Sequence, residues 1–332
     1  MHNTLLIYSL LSFSLLISCA IISYKINLLD TPNERKIHSK PTAYTGGLAI
    51  SVIYLCSLEL FLIESSDLNM IISISFLVAI TGFIDDKYHL NPGSKLSLQI
   101  IPIFYLIVIE NIILTQIGDY NYFKLDLNTF AIPFTLLSVL FLINACNYFD
   151  GIDGTLGFTL ISVIAILYFL TSGEQISLFL IIILIPLCIF LCFNFSLFGL
   201  PKMFLGDSGS LLLGFTISFL LIYLANSKAI PPILLAWSVV IFVYEFLSIN
   251  LMRLKNKKDP FKAGLDHLHH LLFISTNSIF LTNFIIFVIN IVLFIIGYAA
   301  FKFINPLTSF VLFIICFIIF LILRGAYAIK KK

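Results

Sequence analysis

The sequence contains few charged residues. Lysine, arginine, aspartate and glutamate together make up 11% of the chain, whereas hydrophobic residues make up 60%, and the mean hydropathy is +1.08. A soluble domain has about 25% charged residues, so this composition excludes a soluble globular protein. The sequence predicts an all-α protein that crosses a membrane several times.

Cysteine pairs at metal-binding or disulfide spacing are also missing. The six cysteines lie in or at the ends of apolar runs, and none forms a Cys-x-x-Cys pair. This pattern argues against zinc thiolate sites and against a disulfide framework. The first apolar run, residues 5–24, has neither a basic start nor an obvious small-residue cleavage site. We therefore expect it to be a first membrane helix and not a removable signal peptide.

Eleven apolar segments are candidate membrane helices, since a span needs about 20 mostly apolar residues. They cover residues 4–24, 46–63, 68–84, 96–114, 130–146, 155–171, 176–195, 209–226, 230–251, 278–299 and 304–323. Lysine and arginine are enriched in cytoplasmic loops. With the N-terminus outside and the C-terminus in the cytoplasm, 16 of the 19 basic residues lie inside. We expect one membrane domain, residues 1–332, with cytoplasmic loops near 25–45, 85–95, 144–154, 196–209 and 252–271.

Five of the 17 acidic residues lie at the ends of apolar runs: Asp85, Asp86, Asp150, Asp153 and Asp207. A carboxylate beside hydrocarbon is costly and is usually retained for a function. In the predicted topology all five lie on the cytoplasmic side, and Mg²⁺ prefers carboxylate and phosphate oxygens as ligands. These residues therefore predict a metal and phosphate site. For Asp85 and Asp86 the alternative is a polar helix end before the turn at residues 91–93.

Structural interpretations also exist for the other two acidic segments. In NACNYFDGIDG, Asn147, Asp150 and Asp153 would share one face if their helix continued, with Gly151 and Gly154 leaving room for a phosphate; the alternative is a glycine-rich turn. In GLPKMFLGDSGS, the acid lies where a helix N-terminus favours anions. The alternative there is that Asp207 or Ser208 caps the helix.

A histidine cluster ends a later apolar run. The segment DPFKAGLDHLHHLL contains His267, His269 and His270 next to the basic stretch RLKNKK. Such histidines could bind a diphosphate, donate protons or bind a metal, although His-x-His-His alone is not a strong zinc pattern. The nearby lysines are explained by topology and by attraction to anionic lipid. Glu245, inside the preceding apolar run, is expected to pair with a neighbouring helix.

The first cytoplasmic loop contains Arg35, Lys36 and His38 before the paired glycines Gly46 and Gly47. Proline and glycine indicate a shaped loop that leads into the second span. Anchoring of the loop and contact with a substrate are both compatible with this pattern.

Together these segments resemble the polyprenyl-phosphate N-acetylhexosamine-1-phosphate transferases. This glycosyltransferase family 4 contains phospho-N-acetylmuramoyl-pentapeptide translocase and the enzymes that initiate O-antigen, enterobacterial common antigen and teichoic acid linkage units. The motifs are IDD followed by KLSLQ, NACNYFDGIDG, FLGDSGS and HLHH, in this order within residues 30–270. The resemblance implies transfer of N-acetylhexosamine-1-phosphate, with N-acetylglucosamine as first choice, from a UDP-sugar to undecaprenyl phosphate with release of UMP.

The resemblance also implies roles for individual residues. The expected catalytic residues are Asp85, Asp86, Asp150 and Asp153, the substrate-binding residues are Lys95, Asn147, His267, His269 and His270, and the metal ligands are Asp207 and Asp150. Mg²⁺ is the expected cofactor, with Mn²⁺ as the alternative. Expected partners are the UDP-sugar, undecaprenyl phosphate and membrane lipid, with a homodimer allowed and no nucleic acid. The expected location is the bacterial inner membrane, with the site facing the cytoplasm, in lipopolysaccharide or cell-wall biogenesis.

Two features distinguish this chain within the family. Its His-x-His-His pattern resembles the O-antigen and teichoic-acid branch, which favours a simple UDP-N-acetylhexosamine donor; N-acetylfucosamine and N-acetylquinovosamine are alternatives. That branch often has Asp-Arg shortly before the histidines, where this chain has Gly264 and Leu265. The arginine contact to a diphosphate or sugar therefore has no counterpart at these positions, and Lys262 is a candidate replacement. An inactive family member and an ion-coupled transporter are the competing hypotheses, although a transporter is expected to place its acids near the bilayer midplane.

Overall fold

The structure is a computed structural model that describes residues 2–32, 40–257, 264 and 266–330, the last four without their side chains. In this part of the chain the helices are α1 (His2–Lys25), α2 (Gly46–Leu60), α3 (Ser66–Tyr88), α4 (Pro92–Val108), α5 (Ala131–Phe149), α6 (Thr155–Leu170), α7 (Glu174–Asn194), α8 (Gly206–Asn226), α9 (Pro232–Ser238), α10 (Val240–Lys255), α11 (Leu268–Thr276), α12 (Ile279–Phe303) and α13 (Pro306–Lys330). Single 3₁₀ turns cover Asn128–Phe130 and Leu197–Gly199.

The described residues contain two short antiparallel strand pairs. Strands β1 (Leu29–Asp30) and β2 (Thr42–Ala43) pair beside the first loop, and β3 (Gln116–Asp119) and β4 (Lys124–Asp126) form a hairpin. The chain after β2 is anchored to the segment that leads into α8. The Phe204 N–H donates to the Ala43 carbonyl at 2.7 Å, and the Gly46 N–H donates to the Phe204 carbonyl at 3.1 Å. These bonds anchor the end of the first loop to the segment before α8. Arg35, Lys36 and His38 lie outside the described residues.

Seven helices of the described chain are long and apolar enough to cross a membrane, namely α1, α3, α5, α7, α8, α12 and α13. The bent pair α9 and α10 makes an eighth candidate. The prediction of an all-α, multi-pass membrane protein is therefore confirmed. The three shorter apolar helices, α2, α4 and α6, coincide with the remaining predicted spans. The count of eleven spans and the orientation of the termini stay predictions.

The bend between α9 and α10 is stabilised by a buried asparagine. The two helices meet at 72°, which interrupts the backbone hydrogen bonds at the junction. Asn290 of α12 repairs the break: its Oδ1 accepts from the Ile241 N–H at 3.2 Å and its Nδ2 donates to the Ser238 carbonyl at 3.1 Å. Backbone groups inside a membrane protein must find such internal partners because lipid supplies none.

Helix α8 lies at the centre of the bundle. Its apolar stretch is 83% buried, whereas that of α13 is 6% buried. Two glycines allow other helices to cross it closely: a Cβ atom on Gly47 of α2 would overlap the backbone of Gly209, and one on Gly82 of α3 would overlap the backbone of Asp207 and Ser208. Small residues are what permit backbones to approach this closely in a membrane. The Gly82 crossing places the end of α3 against the first turn of α8.

We expect the Gly47→Ala variant to be destabilised, because its methyl group would push α2 away from the α8 backbone. Overpacking of this kind costs about 1–3 kcal/mol. Gly93→Ala is the matched control, since its Cβ would lie 3.4 Å from its nearest neighbour. Thermal unfolding of both variants in the same detergent measures the effect. Equal melting temperatures for Gly47→Ala and the wild type would contradict the close crossing.

Candidate active site

Asp85 and Asp86 lie in the last turn of α3 and not after it. The helix was predicted to end at residue 84, but it continues to Tyr88, where His89 adopts a left-handed conformation (φ 51°) and donates its N–H to the Asp85 carbonyl. The Asp85 side chain is buried and accepts the Leu90 N–H at 2.8 Å through Oδ1. Both carboxylates are thereby held on a rigid helix at the edge of the apolar span.

Lys95 joins two of the predicted acidic segments. Its Nζ lies 2.8 Å from Oδ2 of Asp85 and 2.5 Å from Oδ2 of Asp207. On its other oxygen, Asp207 accepts a hydrogen bond of 2.8 Å from Nδ2 of Asn147. That amide also donates to Ser210 Oγ at 2.8 Å. Residues from α3, α4, α5 and α8 therefore meet at Asp207, as the sequence motifs predicted for one shared site.

Asp86 caps the N-terminus of α8 from a neighbouring helix. Its two carboxylate oxygens accept the backbone N–H groups of Asp207 at 2.9 Å and Ser208 at 3.2 Å. The alternative that Asp207 or Ser208 caps this helix is therefore wrong. An anion at a helix N-terminus satisfies free N–H groups and complements the helix dipole. Because Asp86 supplies the cap, the Asp207 carboxylate is left to face Lys95 and Asn147.

Asp150 and Asp153 occupy a turn after α5, so the interpretation of a continuing helix is wrong. The helix ends at Phe149 because Asp150 has non-helical angles (φ −84°, ψ 49°). Asp153 pairs with Lys202, with Oδ2 and Nζ 2.6 Å apart, and its carbonyl accepts Nδ2 of Asn283 at 2.8 Å. Burial raises the pKa of Asp150 to about 8, and the nearby charges of Asp207 and Asp153 act in the same direction.

The histidines pack against this same turn. His269 is fully buried, and neither of its ring nitrogens has a hydrogen-bond partner among the described residues. Gly151 was expected to make room for a phosphate; instead, a Cβ at Gly151 would overlap Nε2 of His269 and lie 3.2 Å from Nε2 of His270. The rings of His267 and His269 are parallel, with centroids 5.5 Å apart. The turn at residues 150–154 thus connects the aspartates to the histidines.

Four supporting residues were not predicted as part of the site. Glu245 was expected to pair with a neighbouring helix, and it does so with Arg324 of α13, at 2.7 Å. Arg253 of α10 holds Asp266, the residue before the histidines, through contacts of 2.7 and 3.1 Å. Burial by itself would raise the pKa of Asp266, but these bonds lower it below its usual value. In the sequence Arg324 directly follows the last predicted span, residues 304–323, where a basic residue is the ordinary marker of a cytoplasmic helix end.

A cleft of about 200 Å³ opens between α3, α4 and α5. Its lining combines charged and polar side chains with apolar ones: Asp85, Leu90, Pro92, Lys95, Leu96, Asn144, Asn147 and Tyr148. Lys95 provides a cation at the wall, while Leu90 and Leu96 provide apolar surface beside it. This combination suits a phosphate group that is attached to a hydrocarbon chain.

The carboxylates of the site fit a divalent cation. Lys202 balances Asp153, which leaves Lys95 facing Asp85 and Asp207, with Asp150 and Asp86 close by. Within the described ranges, no three His, Cys, Asp or Glu side chains already form a complete ligand set. Mg²⁺ does not require one, since it is usually held by one or two carboxylates together with water and substrate phosphates. Asp150 lies near enough to Asp207 for their charges to interact, and these two residues stay the predicted ligands.

The histidines predict a loss of stability at acidic pH. Burial, followed by the neighbouring His267, lowers the pKa of His270 to about 4, and burial holds the pKa of His269 well below its usual range. In the unfolded chain a histidine takes up a proton near pH 6.5. As the pH falls from about 7 towards 4, the unfolded state therefore gains protons that the folded state does not, and stability decreases.

We expect the melting temperature to fall between pH 7.5 and pH 5 by less in the His269→Gln/His270→Gln variant than in the wild type. The raised pKa of Asp150 has the opposite effect, because it stabilises the folded state as the pH falls. Both proteins contain Asp150, so the difference between their melting temperatures reports on the histidines. Differential scanning fluorimetry in detergent at both pH values measures it. An equal fall in both proteins would show that the two imidazoles are not held neutral.

The chain is similar in sequence to a set of membrane transferases. The model of the family described as glycosyl transferase family 4 matches residues 68–225. A Yersinia pestis protein named undecaprenyl-phosphate alpha-N-acetylglucosaminyl 1-phosphate transferase is 28% identical over 285 residues, 82% of this chain and 76% of the relative. A Bacillus subtilis protein named "Probable undecaprenyl-phosphate N-acetylglucosaminyl 1-phosphate transferase" is 32% identical over 260 residues, 76% of this chain and 71% of the relative. An Escherichia coli O157:H7 protein with the same name as the Yersinia protein is 27% identical over 263 residues, 76% of this chain and 70% of the relative.

Proposed function

Because this chain belongs to glycosyl transferase family 4, we propose that it transfers N-acetylglucosamine-1-phosphate from UDP-N-acetylglucosamine to undecaprenyl phosphate and releases UMP. The observation that carries this proposal is the meeting of Asp85, Lys95, Asn147 and Asp207, from four helices, at one end of the bundle. The names of the relatives support undecaprenyl phosphate as the acceptor and N-acetylglucosamine-1-phosphate as the transferred group. The product would be the first lipid-linked intermediate of a cell-surface polysaccharide such as O-antigen.

We propose a direct reaction with a single phosphoryl transfer. An oxygen of the lipid phosphate attacks the phosphorus that carries the sugar, and the bond from that phosphorus to the UMP oxygen breaks. Catalysis of such a step depends mainly on alignment and on neutralisation of the phosphate oxygens. In this proposal Lys95 holds the lipid phosphate in the cleft, with Leu90 and Leu96 against the start of its chain. Asp85 orients that phosphate and accepts its remaining proton, a modest contribution because the phosphate is already largely ionised near pH 7.

In this proposal the sugar nucleotide binds on the side of Asp207 that faces away from the lipid phosphate. Mg²⁺, or Mn²⁺ in its place, would neutralise the diphosphate and make the attacked phosphorus more electrophilic. Asp207 and Asp150 supply its carboxylate ligands, and Asn147 orients Asp207 through its hydrogen bond of 2.8 Å. Asp86 acts indirectly, because its carboxylate fixes the first turn of α8. The histidines close the site on the side of residues 150–154, where they face the sugar or the diphosphate.

We further propose that the protein crosses the bacterial inner membrane eleven times, with its N-terminus outside and its C-terminus in the cytoplasm. The three shorter helices α2, α4 and α6 count as spans in this topology. Its support is the distribution of lysine and arginine, 16 of 19 of which fall on the inner side, as cytoplasmic loops prefer. The proposed site then faces the cytoplasm, where nucleotide sugars are available.

We expect purified protein to release UMP when it is given UDP-N-acetylglucosamine, undecaprenyl phosphate and Mg²⁺, and to stop when EDTA is added. Removal of the metal takes away the cation that shields the diphosphate, and added Mg²⁺ should restore the rate. A screen with UDP-N-acetylfucosamine and UDP-N-acetylquinovosamine measures donor preference. Substrate accumulation in proteoliposomes without UMP production would favour a transporter and overturn the proposal.

The Asp207→Asn variant should lose activity by roughly a hundredfold or more, the scale seen when an enzyme loses one group that stabilises the developing charge of a transition state. Asn147→Asp is a useful companion, because it keeps the shape of the side chain but replaces the hydrogen-bond donor to Asp207 with a second negative charge. UMP release at saturating substrates measures both. Full turnover by Asp207→Asn would exclude this residue as the metal ligand.

A further inference from the structure

The histidine helix α11 depends on a carboxylate from another helix. It has nine residues, which is too short to be stable by itself. The His267 side chain forms no capping bond to its described neighbours. Instead Oε1 of Glu245, on α10, accepts the Leu268 N–H at 3.0 Å and lies 3.7 Å from Nδ1 of His267. Glu245 thus provides the anion that the N-terminus of α11 requires.

Glu245 in turn depends on Arg324 of α13. The Glu245 side chain is 1% exposed, and an ionised carboxylate buried to this degree needs a paired cation. Arg324 supplies it through two hydrogen bonds, from Nε to Oε2 at 2.8 Å and from Nη2 to Oε1 at 2.7 Å. This two-point geometry is the strongest and most directional form of such a pair.

Arg324 also holds the main chain just before the histidines. Its Nη2 donates to the Asp266 carbonyl at 2.7 Å, while Arg253 holds the Asp266 side chain. One guanidinium therefore connects the backbone at residue 266 with the carboxylate that binds the backbone at residue 268. His267 lies between these two points, and His269 follows one residue later.

The Arg324 side chain is buried, although the helix that carries it is mostly exposed. The apolar stretch of α13 is 6% buried, so this helix mostly faces its surroundings and not the protein core. A basic residue at the cytoplasmic end of such a helix usually extends its charge towards water. Arg324 turns inward and is 5% exposed. It lies outside residues 68–225, which the family model matches.

We infer that Arg324 is a positioning residue for the proposed transferase: through Glu245 and the Asp266 carbonyl it sets the orientation of His267 and His269 against the turn at residues 150–154. The inference rests on the proposed function and assigns a task to the C-terminal helix. It predicts that a variant without Arg324 loses activity because the buried Glu245 carboxylate is left unpaired, and not because the packing of the arginine side chain is lost.

The test compares Arg324→Gln, Glu245→Gln and the double variant in UMP release at varied UDP-N-acetylglucosamine and varied undecaprenyl phosphate. For Arg324→Gln we expect kcat/KM for the sugar nucleotide to fall roughly tenfold to a hundredfold, as loss of an outer-shell partner usually causes. The KM for the lipid should change little, because Lys95 is untouched. The double variant should be more active than Arg324→Gln, since it leaves no buried charge unpaired.

Lys302→Gln is the matched control and should behave as the wild type. Lys302 is an exposed cation on α12 that stacks on Tyr298.

A second measurement does not depend on activity. Carbethoxylation of the histidines, followed by mass spectrometry, should modify His267 and His269 faster in Arg324→Gln than in the wild type, and at an intermediate rate in the double variant. If Arg324→Gln does not fold, Arg324→Lys and the double variant carry the same comparison, with Lys predicted to restore part of the activity.

The possible results separate the two proposals. A wild-type protein that releases no UMP from any UDP-N-acetylhexosamine would overturn the proposed function. An active wild type together with an Arg324→Gln variant of unchanged kinetics and histidine reactivity would overturn the inference alone. A double variant that is no better than Arg324→Gln would also overturn it, because the unpaired carboxylate would then not be the cause.

Discussion

The site is organised by the contact between the end of α3 and the beginning of α8. A buried helix must satisfy the free N–H groups of its first turn, and for α8 this is done by Asp86. Gly82 lets the two backbones meet closely enough for that bond. With the cap supplied from outside, Asp207 turns its carboxylate towards Lys95 and Asn147. Lys95 of α4 and Asn147 of α5 therefore have a fixed carboxylate around which to assemble.

The histidine side of the site is built by a separate set of ion pairs. Arg324 and Arg253 hold Asp266 and Glu245, and Glu245 holds the start of α11. The two sides meet at the turn of residues 150–154, where Gly151 leaves space for the imidazoles of His269 and His270. Both halves follow the same rule: a charge that is buried near the membrane is kept where another charge or a helix end offsets its cost.

Much of this arrangement could be predicted from the sequence. Composition excluded a soluble protein, and the order of the acidic and histidine motifs predicted both a shared site and the family. Local geometry was less predictable. The ends of α3 and α5 were misplaced because they are set by the backbone conformations of His89 and Asp150. The role of Asp86 was hidden because a cap from another helix leaves no local pattern. Arg324 lies 79 residues from its partner Glu245, beyond any motif.

The sequence alone therefore determined the class of protein, its family and the residue types available at the site, because hydropathy and motif order are properties of the chain. The tertiary structure decided which acid binds a lysine, which one caps a helix and which one is buried beside other acids. Five aspartates of the same chemical type differ only in what surrounds them. That environment is created by helix crossings and buried ion pairs between distant segments, and it exists only once the bundle has packed.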